Sequence, residues 1–116
     1  SMTPTARKVA AGGAEKVKLI QVTNLARTLA HLKEEYMVRV VGTMLDESAL
    51  EIQKFDFTGS AVCVVMGAED TGLRPITQAQ CDQKVYIPMS GDLQSLNVSV
   101  ATGMALYEAC RQRLMP

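Results

Sequence analysis

A chain of 116 residues has room for one domain and one core, and its 47% hydrophobic and 21% charged content excludes the disordered class. Twelve basic and twelve acidic residues give zero formal net charge, which excludes a surface uniformly coated in cations for non-specific nucleic-acid binding. Three scattered cysteines, no CxxC and a single histidine argue against a zinc site or a disulfide framework, and no apolar run approaches the roughly 20 residues of a membrane span.

The opening, "SMTPTARKVAAGG", lacks the hydrophobic centre of a signal peptide. With Cys63, Cys81 and Cys110 read as reduced thiols, a cytoplasmic protein is expected, with Cys63 and Cys110 as small core residues. Arg7, Lys8, Lys16 and Lys18 face only Glu15 in the first twenty residues, and Arg111 and Arg113 cluster near the end. Either group could meet phosphate or simply form a solvated face.

In chain order, residues 5–12 read as a short helix ending at Gly12-Gly13. "VKLIQV" (17–22) reads as a short buried strand. Thr23 or Asn24 then caps a helix, "LARTLAHLKEEY", with Leu25, Leu29 and Leu32 along one stripe. His31 sits at the polar end of that helix and suggests no chemistry. "MVRVVG" (37–42) is β-branched and reads as the next strand.

Residues 44–58 are mixed, with a helical turn expected near Ser48–Gln53. "SAVCVVMG" (60–67) is apolar on both faces and reads as a central parallel strand. Pro75 suits the first turn of a helix reaching about Asp82. "KVYIPM" (84–89) is another strand, and the final helix runs from about Asn97 to Arg113. Strands alternating with helices predict an α/β domain with a mostly parallel sheet and flanking helices. Ligands of such sheets sit beyond the carboxyl ends of the strands, where "GTMLD", "GAEDTG" and "SGDLQSLN" leave.

Two stretches at those ends carry the chemistry. In "VMGAEDTG", Gly67 and Gly72 allow close backbone approach to a ligand. The loop is neither a Walker A nor a GxGxxG motif, and Glu69 and Asp70 would repel phosphate. They suit a neutral or cationic ligand, a base for a hydroxyl, or an ordinary solvated turn. In "YIPMSGDLQSLNVSVATG", Asn97 is a good N-cap. The helix beyond it has no strongly polar face, and Ala101, Gly103 and Ala105 permit close backbone packing. Enclosure within the domain, against a partner subunit, or both, is expected for it.

Together "VMGAEDTGL" and "IPMSGDLQSLNVSVATGMALYEA" resemble the second and third motifs of the SpoU (TrmH-like) RNA 2′-O-methyltransferases of the SPOUT superfamily. The upstream "TARKVAAGGAEKVKLIQVTNLARTL" resembles the subgroup that methylates a guanosine ribose in bacterial large-subunit rRNA. The likeness spans essentially the whole chain, with both motifs in the right order and spacing.

It implies a SPOUT-type fold whose C-terminal segment threads a loop into a trefoil knot, an exception to the rule against threading. It implies an S-adenosylmethionine pocket at Thr43, Gly67, Ile87 to Met89 and Leu96. It also implies catalytic roles for Glu69 and Asn97, with Ser95 as a hydrogen-bonding neighbour. The expected partners are an rRNA substrate and a second copy of the chain, joined through the C-terminal helix, with no membrane and no metal.

The family's first motif, an "N-x-G-A-x-x-R"-like stretch with the expected catalytic arginine, does not occur in these residues, and Arg7 does not match it. A C-terminal portion of a methyltransferase domain, inactive by itself, is therefore expected for residues 1–116. The alternatives are a non-catalytic SPOUT-like module for RNA binding or dimerisation, and a generic nucleotide-binding α/β domain. The absence of a phosphate-cradling loop counts against the last.

Overall fold

Val40 and Val41 are both fully buried, although successive residues of a strand point to opposite faces. Both faces of the sheet around them are therefore covered. The computed structural model describes residues 6–8, 18–20, 24–67, 72–89 and 97–115.

Four strands form a parallel sheet: β3 (Arg39–Thr43), β4 (Leu50–Glu51), β5 (Val62–Val65) and β6 (Gln83–Tyr86), in the order β4-β6-β3-β5. Arg39 pairs with Val62 and Gly42 with Val65, while Thr43 pairs with Val85. On one face Leu29, Val40, Val65 and Leu73 pack together, joined by α1 (Leu25–Tyr36) and the short α2 (Pro75–Gln78). On the other, Val41, Ile52, Phe57, Val85 and Ala105 pack under α3 (Val98–Leu114) and a 3₁₀ turn at Ile52–Lys54.

α1 is bounded by local chemistry. The Asn24 side chain accepts from the Arg27 amide at 3.0 Å, as expected of one of the two proposed caps. The helix ends where Met37 turns left-handed, φ 56°, and its amide and that of Val38 return to the Lys33 and Leu32 carbonyls at 3.2 Å. Leu29 of the predicted stripe is buried, whereas Leu25 lies 40% exposed.

Several expectations change. Ala6–Lys8 is a strand, β1, not part of a helix, and pairs antiparallel with β2 (Lys18–Ile20). Gly12-Gly13, read as a helix stop, is equally a signal between two pairing strands. The strand expected at 17–22 exists over Lys18–Ile20 but belongs to this two-stranded sheet, not to the parallel one. The helical turn expected near 48–53 is divided into β4 and the 3₁₀ turn. β5 is an edge strand of the described sheet, not a central one, because an apolar run reports two covered faces rather than two paired neighbours.

α2 stops at Gln78, since Asp82 is drawn into the sheet: its amide and its carboxylate bond the Val40 carbonyl and amide, each at 2.7 Å. α3 matches its predicted span within a residue. Its enclosure is not observed. Ala105 alone is fully buried, while Val100, Met104 and Tyr107 are 51%, 41% and 67% exposed. Cys110 is exposed for the same reason, and Cys63 with Cys81 packs on the α1 side instead. The knot expected of the C-terminal segment is not traced, since residues 90–96, which lead into α3, lie outside the described residues.

Candidate functional site

Three strands end together, and short bonds join those ends. The Thr43 hydroxyl, at the end of β3, accepts from the Gly67 amide at 3.0 Å and donates to the Val65 carbonyl at 3.3 Å. The next amide, of Met44, donates to the Val85 carbonyl at 2.9 Å. β3 is thereby tied to β5 on one side and β6 on the other, at the carboxyl end of the sheet.

Gly67 sits where no side chain fits. A Cβ there would lie 3.0 Å from the Thr43 carbonyl oxygen and 3.1 Å from both Cα and C of Gly72. Gly72 itself has φ +65°, a conformation open to glycine. The two glycines of "GAEDTG" therefore touch backbone to backbone, and the loop between them leaves and returns at one point. Leu73, buried behind it, contacts the place a Gly42 Cβ would occupy and anchors the returning strand.

Of the residues singled out in the sequence, Thr43, Gly67, Ile87 and Met89 are brought to this end of the sheet. Ile87 follows β6 and packs against the core under α3. Asn97 caps α3: its Oδ1 accepts from the Ser99 amide at 2.7 Å. Its Nδ2 donors bond no described residue, so the side chain can cap and still donate elsewhere. Glu69, Ser95 and Leu96 lie outside the described residues.

Thr43, Gly67, Ile87, Pro88 and Met89 carry no cationic side chain. A sulfonium group meets no repulsion from them, and an adenosyl moiety would find backbone and aliphatic surface. The residues present fit S-adenosylmethionine.

Elsewhere, Ile52, Ile87, Val100, Met104 and Tyr107 line an open groove of about 430 Å³ between α3 and the 3₁₀ turn. Burial pushes the Cys63 and Cys81 thiols up, which suits inert packing rather than nucleophilic chemistry. Among the described residues, no helix is long and apolar enough to cross a membrane, and no group of His, Cys, Asp or Glu is placed to hold a metal ion.

The Thr43 clasp escaped the sequence reading as a contact, since nothing local links a threonine to an amide 24 residues on. So did the clamp on α3's far end: the Gln112 side chain accepts from the Phe57 amide and donates to the Phe55 carbonyl, both at 2.9 Å. Arg113 donates to the Phe57 and Ser60 carbonyls at 2.8 and 2.9 Å. Arg111 pairs with Glu108. The basic C-terminal cluster is thus committed to the fold rather than left as a free cationic face.

A model of the SpoU rRNA Methylase family matches residues 1–107. The 23S rRNA (guanosine-2'-O-)-methyltransferase RlmB of Acinetobacter baylyi is 82% identical over 114 residues, covering 98% of this chain and 46% of that protein. Its namesake from Haemophilus ducreyi is 50% identical over the same shares.

Among solved structures, the A. aeolicus TrmH/SpoU tRNA modifying enzyme superposes with a TM-score of 0.72 at 40% identity, covering 88% of this chain and 51% of that one. The SpoU methyltransferase AviRb from Streptomyces viridochromogenes, in complex with AdoMet, gives 0.69 at 29% identity, covering 84% and 39%. The chain spans about half the length of the curated relatives it matches. With a family match over nearly all its residues and a parallel sheet that superposes on solved members, the chain belongs to the SpoU rRNA methylase family.

Proposed function

We propose that this chain is the cofactor-binding portion of an enzyme that transfers a methyl group from S-adenosylmethionine to a ribose 2′-hydroxyl of rRNA. The substrate is a guanosine of bacterial 23S rRNA, a reading supported by the 82% and 50% identity with relatives named for that activity. Residues 1–116 form the C-terminal part of the methyltransferase domain, and the setting is the cytoplasm. The observation that carries the reading is the junction of Thr43, Gly67 and Val85 at the carboxyl end of the sheet. It fixes the stem of the loop bearing Glu69 beside the residues that follow β6.

Bound there, S-adenosylmethionine supplies an electrophilic methyl on a sulfonium. The ribose 2′-oxygen forms its bond to that carbon as the carbon–sulfur bond breaks. The hydroxyl proton leaves to a base, and S-adenosylhomocysteine remains. Thr43, Gly67, Ile87, Met89 and Leu96 hold the cofactor, chiefly through backbone. Glu69 and Asn97 orient the reacting groups, Asn97 through its Nδ2 donors, with Ser95 as their neighbour. Positioning of this kind removes much of the entropic barrier.

A homodimer through α3 accounts for the exposure of Val100, Met104 and Tyr107 in the single chain. Sedimentation equilibrium tests it: a monomer at all concentrations removes this part of the reading. Calorimetry of this chain with S-adenosylhomocysteine tests the cofactor site. Transfer of labelled methyl to 23S rRNA is measured with the protein extended upstream through the asparagine-and-arginine motif, and no transfer there overturns the enzyme reading.

A further inference from the structure

Eight basic side chains of Lys and Arg lie in the described residues 24–115. Six are engaged within the fold. Lys33 holds Asp82 and the Gln80 carbonyl, Lys54 pairs with Glu51, and Lys84 pairs with Asp46. Arg39 donates to Ser60, Asp56 and Thr58, and Arg111 and Arg113 are committed as described above. Arg27 and Arg74 are exposed, and neither guanidinium bonds a described residue.

The two share an end of the molecule. Lys33 reaches Gln80 and Asp82, just before the amino end of β6, so the C-terminal half of α1 lies at the amino end of the sheet. Arg27, nearly two turns earlier, lies toward the carboxyl end. Leu29, two residues on, packs with Leu73, and Arg74 follows Leu73 directly. Arg74 is also two residues from Gly72, the closing residue of the "GAEDTG" loop. Among the cationic side chains of residues 24–115, these two alone bond no described residue, and the backbone positions that carry them lie on the α1–α2 side of the candidate site.

We propose that Arg27 and Arg74 bind phosphates of the RNA strand whose ribose enters the site, a proposal that rests on the functional reading above. An unpaired guanidinium is weakly hydrated and offers a fork of donors matched to phosphate oxygens. Two such groups on one side of the site fix the strand's path without reading its bases.

The test titrates a short fluorescein-labelled single-stranded RNA into this chain by anisotropy across a salt series, with R27Q, R74Q, the double variant and K54Q. Lys54 lies on the opposite face and is already paired. Each arginine variant is expected to lower the slope of log affinity against log salt by roughly 0.7, and the double variant by about 1.4. K54Q keeps the slope, and all variants keep their melting temperature and their S-adenosylhomocysteine affinity.

An unchanged slope in the double variant overturns the proposal, as does an equal loss in K54Q. A joint loss of S-adenosylhomocysteine affinity also overturns it, since that marks a structural role. Either result with normal cofactor binding by the unaltered protein leaves the functional reading intact. Failure of the unaltered protein to bind S-adenosylhomocysteine removes that reading and this proposal together.

Discussion

Gly67 and Met37 are opposite cases of backbone demand. At Gly67 the obstacle to a side chain is backbone on two sides, the Thr43 carbonyl and Gly72, and neither can rotate away. Gly67→Ala is expected to destabilise the chain by about 1–3 kcal/mol in urea unfolding and to abolish S-adenosylhomocysteine binding in calorimetry. Met37 holds a left-handed φ of 56° with an 80% exposed side chain that contributes little packing. Left-handed backbone costs an L-residue roughly 1–2 kcal/mol. Met37→Gly is therefore expected to raise the urea midpoint, with unfolding free energy higher by about 0.5–1 kcal/mol after the entropy cost of glycine is subtracted. The glycines of "GAEDTG" were legible in sequence as a loop. That their backbones touch was not, because the contact depends on where Thr43 stands.

At the scale of elements, local signals located most strands and helices but not their neighbours. Asn24 and Asn97 cap the helices as their residue type suggests, each accepting from an amide two or three residues on. β5 illustrates the limit: its apolar run is real, yet among the described strands it pairs with β3 alone and so lies at the edge of the described sheet. Asp82 ends α2 early by inserting its carboxylate into the ladder of β3, where Lys33 approaches it at 3.3 Å. Asp82→Ala leaves the Val40 amide without its acceptor and is expected to cost about 1–3 kcal/mol by chemical denaturation. A loss below a few tenths would mean that water replaces the carboxylate.

For the molecule as a whole, three carboxylates link stability to acid. The Lys84 ammonium, then Ser48, hold Asp46 below its usual 3.8; the Thr58 hydroxyl and amide do the same for Asp56; and the Arg111 guanidinium holds Glu108 below 4.5. Their folded values are depressed, so their stabilisation is complete above the ordinary values and is lost as pH falls through the folded ones. Melting temperature is expected to drop on acidification below 3.8, and D46N should flatten that drop. An identical acid profile in D46N would show that Lys84 gains nothing from the pair.

The sequence by itself determined the α/β class, the Asn97 cap and the family, and narrowed the first cap to Thr23 or Asn24, because each rests on local residue patterns. The tertiary structure decided which strand ends meet, that Thr43 clasps Gly67, and that the Arg27 and Arg74 guanidiniums bond no described residue while Arg111 and Arg113 are spent. Those facts depend on pairings between distant segments. A one-dimensional pattern states how each segment prefers to fold, but not which partner it finds.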